Sequence, residues 1–338
     1  MKKAVLLAAG AAVIVTGISF APPADAADNT LRIGSRTPAK SSLIRKGLQP
    51  WAEAVTRDSG GTLEIKTFWG GALVRSLAKQ YEAVLGGIQD GANILPAYTA
   101  KLFPDYTVFS LPYMFPDPDK GSEIAWRAHK AGLLTGTEKL YVATVYTNDN
   151  GGIHLSVKLN TIGDLKGNKI RAAGPEEAKV ISILGGSPVS MGIPAVAEGL
   201  NRGVITGLLS GWSALRTFRL EPLLKTHVDV PSGVRSFIVG VRKDKYDALP
   251  AAARRSFDKH SGLTLAKTMG NLNQGNQVRV RKAAAEKGKS ILKPMGAEEA
   301  AFRKKFQVLH DDWIKRVKDG QRKYDAIQKI IKQVNSSS

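Results

Sequence analysis

The sequence contains no cysteine. That excludes disulfides, cysteine-based metal sites and lipid attachment through a cysteine thiol. Histidine is scarce as well: His129, His154, His227, His260 and His310 are scattered, with no metal-ligand spacing. There is no Gly-x-Ser-x-Gly elbow, no Walker loop and no Gly-x-Gly-x-x-Gly after a strand-like run. Glu176 and Glu177 are adjacent, so on a helix they diverge and cannot form a matched acid/base pair. They suit the first turn of a helix, where acids oppose the dipole. No enzymatic chemistry is legible, and no cofactor is implied. Beyond the N-terminus, apolar runs are short and broken by charge, so none would span a bilayer.

What is present begins with an export pattern. Lys2 and Lys3 precede an apolar run from Ala4 to Phe20, and Ala24-Asp25-Ala26 places small residues where a signal peptidase reads. We expect residues 1–26 to be a signal peptide cleaved after Ala26, giving a periplasmic product. The net charge is +20, from 49 Lys and Arg against 29 Asp and Glu. Such an excess suits anionic partners. The basic residues are dispersed, densest from Lys282 to Lys332, with no zinc-finger spacing, aromatic RNA-binding motif or compact basic arm. The expectation is a solvated basic face and no nucleic-acid partner.

The N-terminal half alternates strand and helix signals. Leu31-Arg32-Ile33 and Leu63 to Phe68 have a strand's period of two. Between them, Leu48, Trp51, Ala52 and Val55 recur at helical spacing within 41–58, stopped by Ser59-Gly60-Gly61. Leu77, Tyr81, Val84, Leu85 and Ile88 predict a second helix, and Ala92 to Leu95 a third strand. This β-α-β-α-β order implies a parallel sheet, with ligands favoured beyond the carboxyl ends of its strands. After a strand near 141–145 the alternation restarts: strands at Lys169-Ile170-Arg171, Pro188 to Met191 and Val204 to Leu209, with helices after Pro175 and Pro194. Phe237 to Val241 is a strand that can return the chain to the first sheet. Phe302, Phe306, Leu309, Trp313 and Val317 define a long helix packed along the body. The two runs of alternation suggest an α/β fold of two lobes, with a long helix near the C-terminus. The expected division is 27–150 with 236–275 for lobe I, 151–235 with 276–334 for lobe II, and a disordered tail at 335–338.

Arg171 closes a strand just before the Gly174-Pro175 turn into a helix, at the sheet edge where such folds place ligands. Its planar fork matches a carboxylate with two parallel charge-assisted bonds. On position alone a surface arginine is the commoner outcome. The surrounding segment, Asp164-Leu165-Lys166-Gly167-Asn168-Lys169-Ile170-Arg171, resembles the signature of solute-binding proteins from tripartite ATP-independent periplasmic (TRAP) transporters, DctP type. Further segments agree in order: Gly91 to Tyr98 with Phe103-Pro104, Leu111 to Pro116, Leu184 to Met191, and Gly203 to Gly207 followed by Trp212.

This resemblance implies an α/β, two-lobed periplasmic binding protein fold with crossing strands and a long C-terminal helix, closing over a solute, with Arg171 gripping its carboxylate and delivery to a permease pair driven by an ion gradient. It implies a receptor rather than an enzyme, acting as a monomer. Two departures stand out: Thr206 where the family often has Asp, and Ser210 where it often has a ligand-holding Asn. These set the chain apart from the sialic-acid and C4-dicarboxylate poses. Arg216 and Arg219 are near in sequence, but family matching does not put either in the cleft, so no second arginine is assigned. The expectation is a monocarboxylate: a 2-oxo, hydroxy or aromatic acid. Tyr98, Trp212, Ser210, Trp69 and Phe237 complete the candidate ligand residues; each aromatic is equally compatible with a core position. The rival readings are a binding protein of the same fold serving an ABC importer or sensor kinase, an exported enzyme acting on a small acid, and a structural envelope protein using the charge.

Overall fold

The computed structural model describes residues 29–336; the expected signal peptide and Ser337-Ser338 lie outside them. In chain order, strand β1 (Thr30–Gly34) is followed by helix α1 (Gln49–Asp58), β2 (Glu64–Phe68), α2 (Gln80–Leu85), β3 (Gly91–Ile94), α3 (Pro118–Lys130) and β4 (Leu140–Thr147). The second series is β5 (Gly151–Leu155), β6 (Lys169–Ala172), α4 (Pro175–Ile183), β7 (Ser187–Ser190), α5 (Val196–Asn201), β8 (Gly207–Gly211), α6 (Trp212–Thr217) and β9 (Thr226–Val228). The chain then forms β10 (Ser236–Arg242), α7 (Lys243–Asp247), α8 (Ala251–His260), α9 (Gly262–Glu286), β11 (Ser290–Leu292), α10 (Ala297–Arg316) and α11 (Gly320–Ser336).

These strands make two sheets, ordered β2-β1-β3-β10-β4 and β11-β9-β5-β8-β6-β7. In the first, β1 pairs in parallel with β2 and β3, and β10 enters antiparallel between β3 and β4. In the second, β6 runs parallel to β7 and β8, while β5 is antiparallel to β8 and β9. The chain passes between the sheets through Asn148 to Asn150 and again through Asp229 to Arg235. These crossings bond to each other: Asn148 N–H donates to Arg235 O (3.0 Å), Arg235 N–H to Asn148 Oδ1 (2.7 Å), and Gly151 N–H to Gly233 O (2.7 Å). This pairing keeps the backbone polar groups of both crossing segments satisfied.

Several sequence expectations need correction. The 41–58 helix is not uniform, because Ile44–Leu48 forms a π turn in which Gln49 N–H bonds Ile44 O. Pro50 has no N–H to give, so a wider turn absorbs the missing bond. Helix α2 is shorter than the spacing suggests: Leu77 precedes it and Ile88 is 54% exposed. Strand β8 starts at Gly207, leaving Val204 exposed in the preceding turn. The expected tail is helical through Asn335 and Ser336, since Ile331 and Val334 are buried and hold the last turns down.

The long helix expected over Phe302 to Val317 is α10, and a further helix, α11, follows it. They break at Val317–Asp319, where Asp319 takes a positive φ of 55°. Among the described residues the longest helix is α9, 25 residues, whose small and amide-bearing buried face gives little apolar periodicity. It packs on α3 and β4 beside the first sheet and on α6 beside the second, so the expected boundary at 275/276 falls inside one continuous helix. Helix α11, expected with the second lobe, packs on α3.

Candidate functional site

The parallel strands of both sheets direct their carboxyl ends at one another. Beyond β3 lies the Leu95 to Tyr98 turn; the carboxyl end of β6 carries Arg171 and Ala172, with Ala173 just beyond; the carboxyl end of β8 carries Ser210. A cavity of about 70 Å3 sits where they meet. Its walls are largely apolar, with Leu43, Leu77 and Leu95 from the first half and Ile193, Ala214 and Phe218 from the second. One end is polar, formed by Arg171, Arg235, Tyr98, Ser210, Ser213 and Asn148. The lobes meet closely here: a Cβ on Gly174 would lie 2.4 Å from Ala97 O, so only glycine fits that approach.

Arg171 is 1% exposed. Its Nε donates to Met191 O (2.8 Å), its Nη1 to Leu209 O (3.2 Å) and its Nη2 to the Tyr98 hydroxyl (2.5 Å). These bonds use three of the five N–H groups of a guanidinium. Tyr98 Oη also accepts from Ile193 N–H (3.1 Å), so one first-lobe hydroxyl latches two second-lobe donors. Glu177, in the first turn of α4, accepts from Ala173 N–H (2.8 Å) and from Arg235 Nε, and lies 3.9 Å from Arg171 Nη1. The acids read as a dipole-favouring pair thus diverge. Glu177 turns toward Arg171 and Arg235, and Glu176 bonds Arg316 on α10 (2.8 Å).

Arg235 is the residue that sequence reasoning missed. It stands in the second crossing segment, outside the segments that carry the family resemblance, and no local pattern marks it. Its Nη1 is buried with no hydrogen-bond partner. Among the described residues, Glu177 is the sole carboxylate within 4 Å of either Arg171 or Arg235. Nearby Asp149 is fully buried and bound by Ser213 N–H (3.1 Å) and Ser213 Oγ; burial raises its pKa above the ordinary carboxyl value. The polar end therefore holds two guanidinium groups against one contacting carboxylate. Opposite them, Asn273 donates from Nδ2 to Thr147 O (3.1 Å), and its Oδ1 is a buried acceptor with no partner.

Of the six candidate residues, Arg171, Tyr98, Ser210 and Phe237 line this cavity. Trp212 and Trp69 do not. Helix α6 begins at Trp212, so the strand alternation that would put it on Ser210's side has ended. Its ring is fully buried against His154, His227 and Arg281. Trp69 follows the edge strand β2 and bonds Gln49 Oε1 (2.6 Å). Phe237 stacks on Tyr146 with centroids 5.0 Å apart. Among the described residues no cluster of histidine and acidic side chains could hold a metal ion, and no helix is long and apolar enough to cross a membrane.

Comparison with known proteins gives a consistent likeness. The family model described as bacterial extracellular solute-binding protein, family 7 (DctP), matches residues 34–316. The C4-dicarboxylate-binding periplasmic protein DctP of Rhodobacter capsulatus is 24% identical over 313 residues, 91% of this chain and 94% of that protein. A TRAP solute-binding protein from Rhodoferax ferrireducens T118, solved with copurified benzoate, superposes with a TM-score of 0.84 at 25% identity, covering 91% of this chain and 99% of that one. A marine metagenome TRAP solute-binding protein specific for aromatic acid ligands, solved with metahydroxyphenylacetate, gives 0.84 at 28% identity with the same coverage.

Proposed function

This chain belongs to family 7 of the bacterial extracellular solute-binding proteins, a family of receptors rather than enzymes, and from that premise we propose that it captures a small aromatic or hydroxy monocarboxylate for a TRAP-type transporter. The observation that carries the proposal is the charge count in the cavity: two buried guanidinium groups, one contacting carboxylate, and an unpartnered Nη1 on Arg235. Buried charge is costly unless it is paired, and a guest carboxylate supplies the missing partner.

In this reading Arg171 offers its two remaining N–H groups to the carboxylate, and Arg235 adds a third donor. The apolar walls take a ring or a branched chain. Asn273 Oδ1 accepts from a hydroxyl on the solute, which favours a hydroxy acid over an oxo acid. Tyr98 and Phe237 supply first-lobe contacts and Ser210 a second-lobe contact. The solute thereby favours the closed arrangement, because it touches both lobes only there. The first lobe is built on the β2-β1-β3-β10-β4 sheet and the second on the β11-β9-β5-β8-β6-β7 sheet, with α9 packing beside both. A signal peptide cleaved after Ala26 delivers the protein to the periplasm, where it serves the membrane subunits as a monomer. The relatives with aromatic-acid ligands support this reading.

A thermal-shift screen over aromatic, hydroxy and dicarboxylic acids tests it. A bound acid at about one hundred times its Kd adds about 2.7 kcal/mol to stability and raises Tm. A screen in which no monocarboxylate shifts Tm, while a neutral or cationic solute does, overturns the proposal.

A further inference from the structure

We propose that the basic groove over the mouth of the cavity is a vestibule that concentrates anionic solutes before they bind; this rests on the carboxylate reading of the cavity itself. The groove, about 1190 Å3, lies between the lobes. It adjoins the cavity residue by residue. Thr217 and Phe218 line both. Thr37 faces the cavity and its neighbours Arg36 and Pro38 the groove; Leu43 faces the cavity and Ser42 the groove; Ile193 faces the cavity and Pro194 the groove. Asn273 lines the cavity, and Asn276, one turn further along α9, lines the groove. The two spaces thus lie along one seam and share part of their lining.

The groove's charge is one-sided. From the first lobe it is lined by Arg36, Lys40, Arg45 and Lys46, within a stretch from Gly34 to Ala52 that contains no acid. From the facing side come Arg216, Arg219 and Arg279, and Glu221 is the sole acid in the lining. Among the described residues, Arg216 is the one cation of these seven with a carboxylate within 4 Å, Glu221 at 4.0 Å. Elsewhere pairing is mixed: Lys179, Lys243, Lys259, Lys267 and Arg303 each meet an acid within 3 Å, whereas Lys101, Lys304 and Lys305 have none within 4 Å among the described residues. A cleft walled by one sign of charge focuses its field outward and raises the local concentration of counter-ions, with association rates gaining from about 10-fold to 1000-fold. The gain falls with salt, because the screening length shrinks from about 30 Å at 0.01 M to about 3 Å at 1 M. The groove thus gives part of the +20 charge a task in solute capture, without changing the contacts that hold the bound acid.

The absence of cysteine makes a test independent of the natural solute. Ala39→Cys puts a single thiol in the groove, and Ser182→Cys puts one on exposed α4 outside it. Their reaction rates are measured with a dianionic aryl disulfide (5,5′-dithiobis-2-nitrobenzoate) and with neutral 4,4′-dithiodipyridine, at low and high salt. The expected result is an anionic-to-neutral rate ratio about tenfold higher at position 39 than at position 182, collapsing at high salt. It should also fall on adding Lys40→Glu and Lys46→Glu but persist with Lys40→Arg and Lys46→Arg. Equal ratios at the two positions, or a ratio indifferent to salt, overturn the vestibule.

Stopped-flow binding of benzoate supplies the second arm. The double glutamate variant should slow association several-fold and leave dissociation unchanged, whereas a change confined to dissociation contradicts steering. If benzoate and the other acids fail to bind while the thiol ratio is high, the electropositive mouth stands and the solute class assigned to the cavity falls.

Discussion

Two buried polar clusters flank Ser210, and they are built to opposite ends. On the cavity side stand Arg171, Arg235 and Glu177, with two cations on one carboxylate and an open space beside them. On the other side, His154, His227, Trp212 and Asp229 are buried together, capped by Arg281 at the surface. Arg281 and Asp229 match one to one through a bidentate contact, and the guanidinium lies 4.9 Å from the centroid of the Trp212 ring. The histidine tautomers follow from the partners. Ser210 O can only accept, so His154 Nε2 carries the proton and its Nδ1 accepts from His227 Nδ1–H (2.9 Å). The gap beside His227 is about 10 Å3, room for about one water. The lesson is that buried charge alone does not mark a site; an imbalance of charge facing an enclosed space does.

The contrast breaks most sharply at Arg171. Arg171→Ala should weaken acid binding by about 2–5 kcal/mol, read as Kd by calorimetry. An unchanged Kd removes Arg171 from the site. Tyr98→Phe comes next. It strips the acceptor from Arg171 Nη2 and Ile193 N–H together, so it should cost about 1–3 kcal/mol of affinity through a loosened closed state. A Kd equal to wild type would mean the latch plays no part.

What could be read from the chain follows from how local each signal is. The β-α alternation, Gly174-Pro175 and the Phe302 to Trp313 spacing are local patterns of period and punctuation, and they locate strands, turn and helix well. Arg171 was legible because it ends a strand just before that turn, within a motif. Arg235 was not, because its role comes from two crossing segments meeting 87 residues apart in sequence, at Asn148 and Arg235. Trp212 misled because the strand's alternation stops one residue before it. Helix α9 escaped because its buried face carries Gly270, Asn273, Asn276 and Gln277 rather than an apolar stripe.

The closed cluster should govern stability rather than affinity. Burial, with the nearby charges of Lys289 and Arg281, lowers the pKa of His227 to about 4. Between pH 6.5 and about 4 the unfolded chain therefore binds the proton that the folded chain refuses. In that window stability falls as pH falls, by about 1.4 kcal/mol per pH unit for this histidine; above pH 6.5 the histidine adds no slope. Asp149, whose pKa is raised, acts in the opposite sense, so the comparison is made between variants: His227→Gln should flatten the slope seen in urea unfolding at pH 7 and pH 5. An unaltered slope contradicts the assignment. The smallest effect is expected from Asp229→Asn, about 1 kcal/mol of stability with Kd unchanged, since Arg281 is partly open to solvent. A lost affinity there would join the two clusters into one site.

The most direct measurement is a calorimetric titration of the wild-type protein with 3-hydroxybenzoate and, in parallel, with the neutral amide of the same shape. Two under-neutralised guanidinium groups call for a saturable response to the acid and none to the amide at equal concentration. An amide that binds as tightly as the acid would contradict the account.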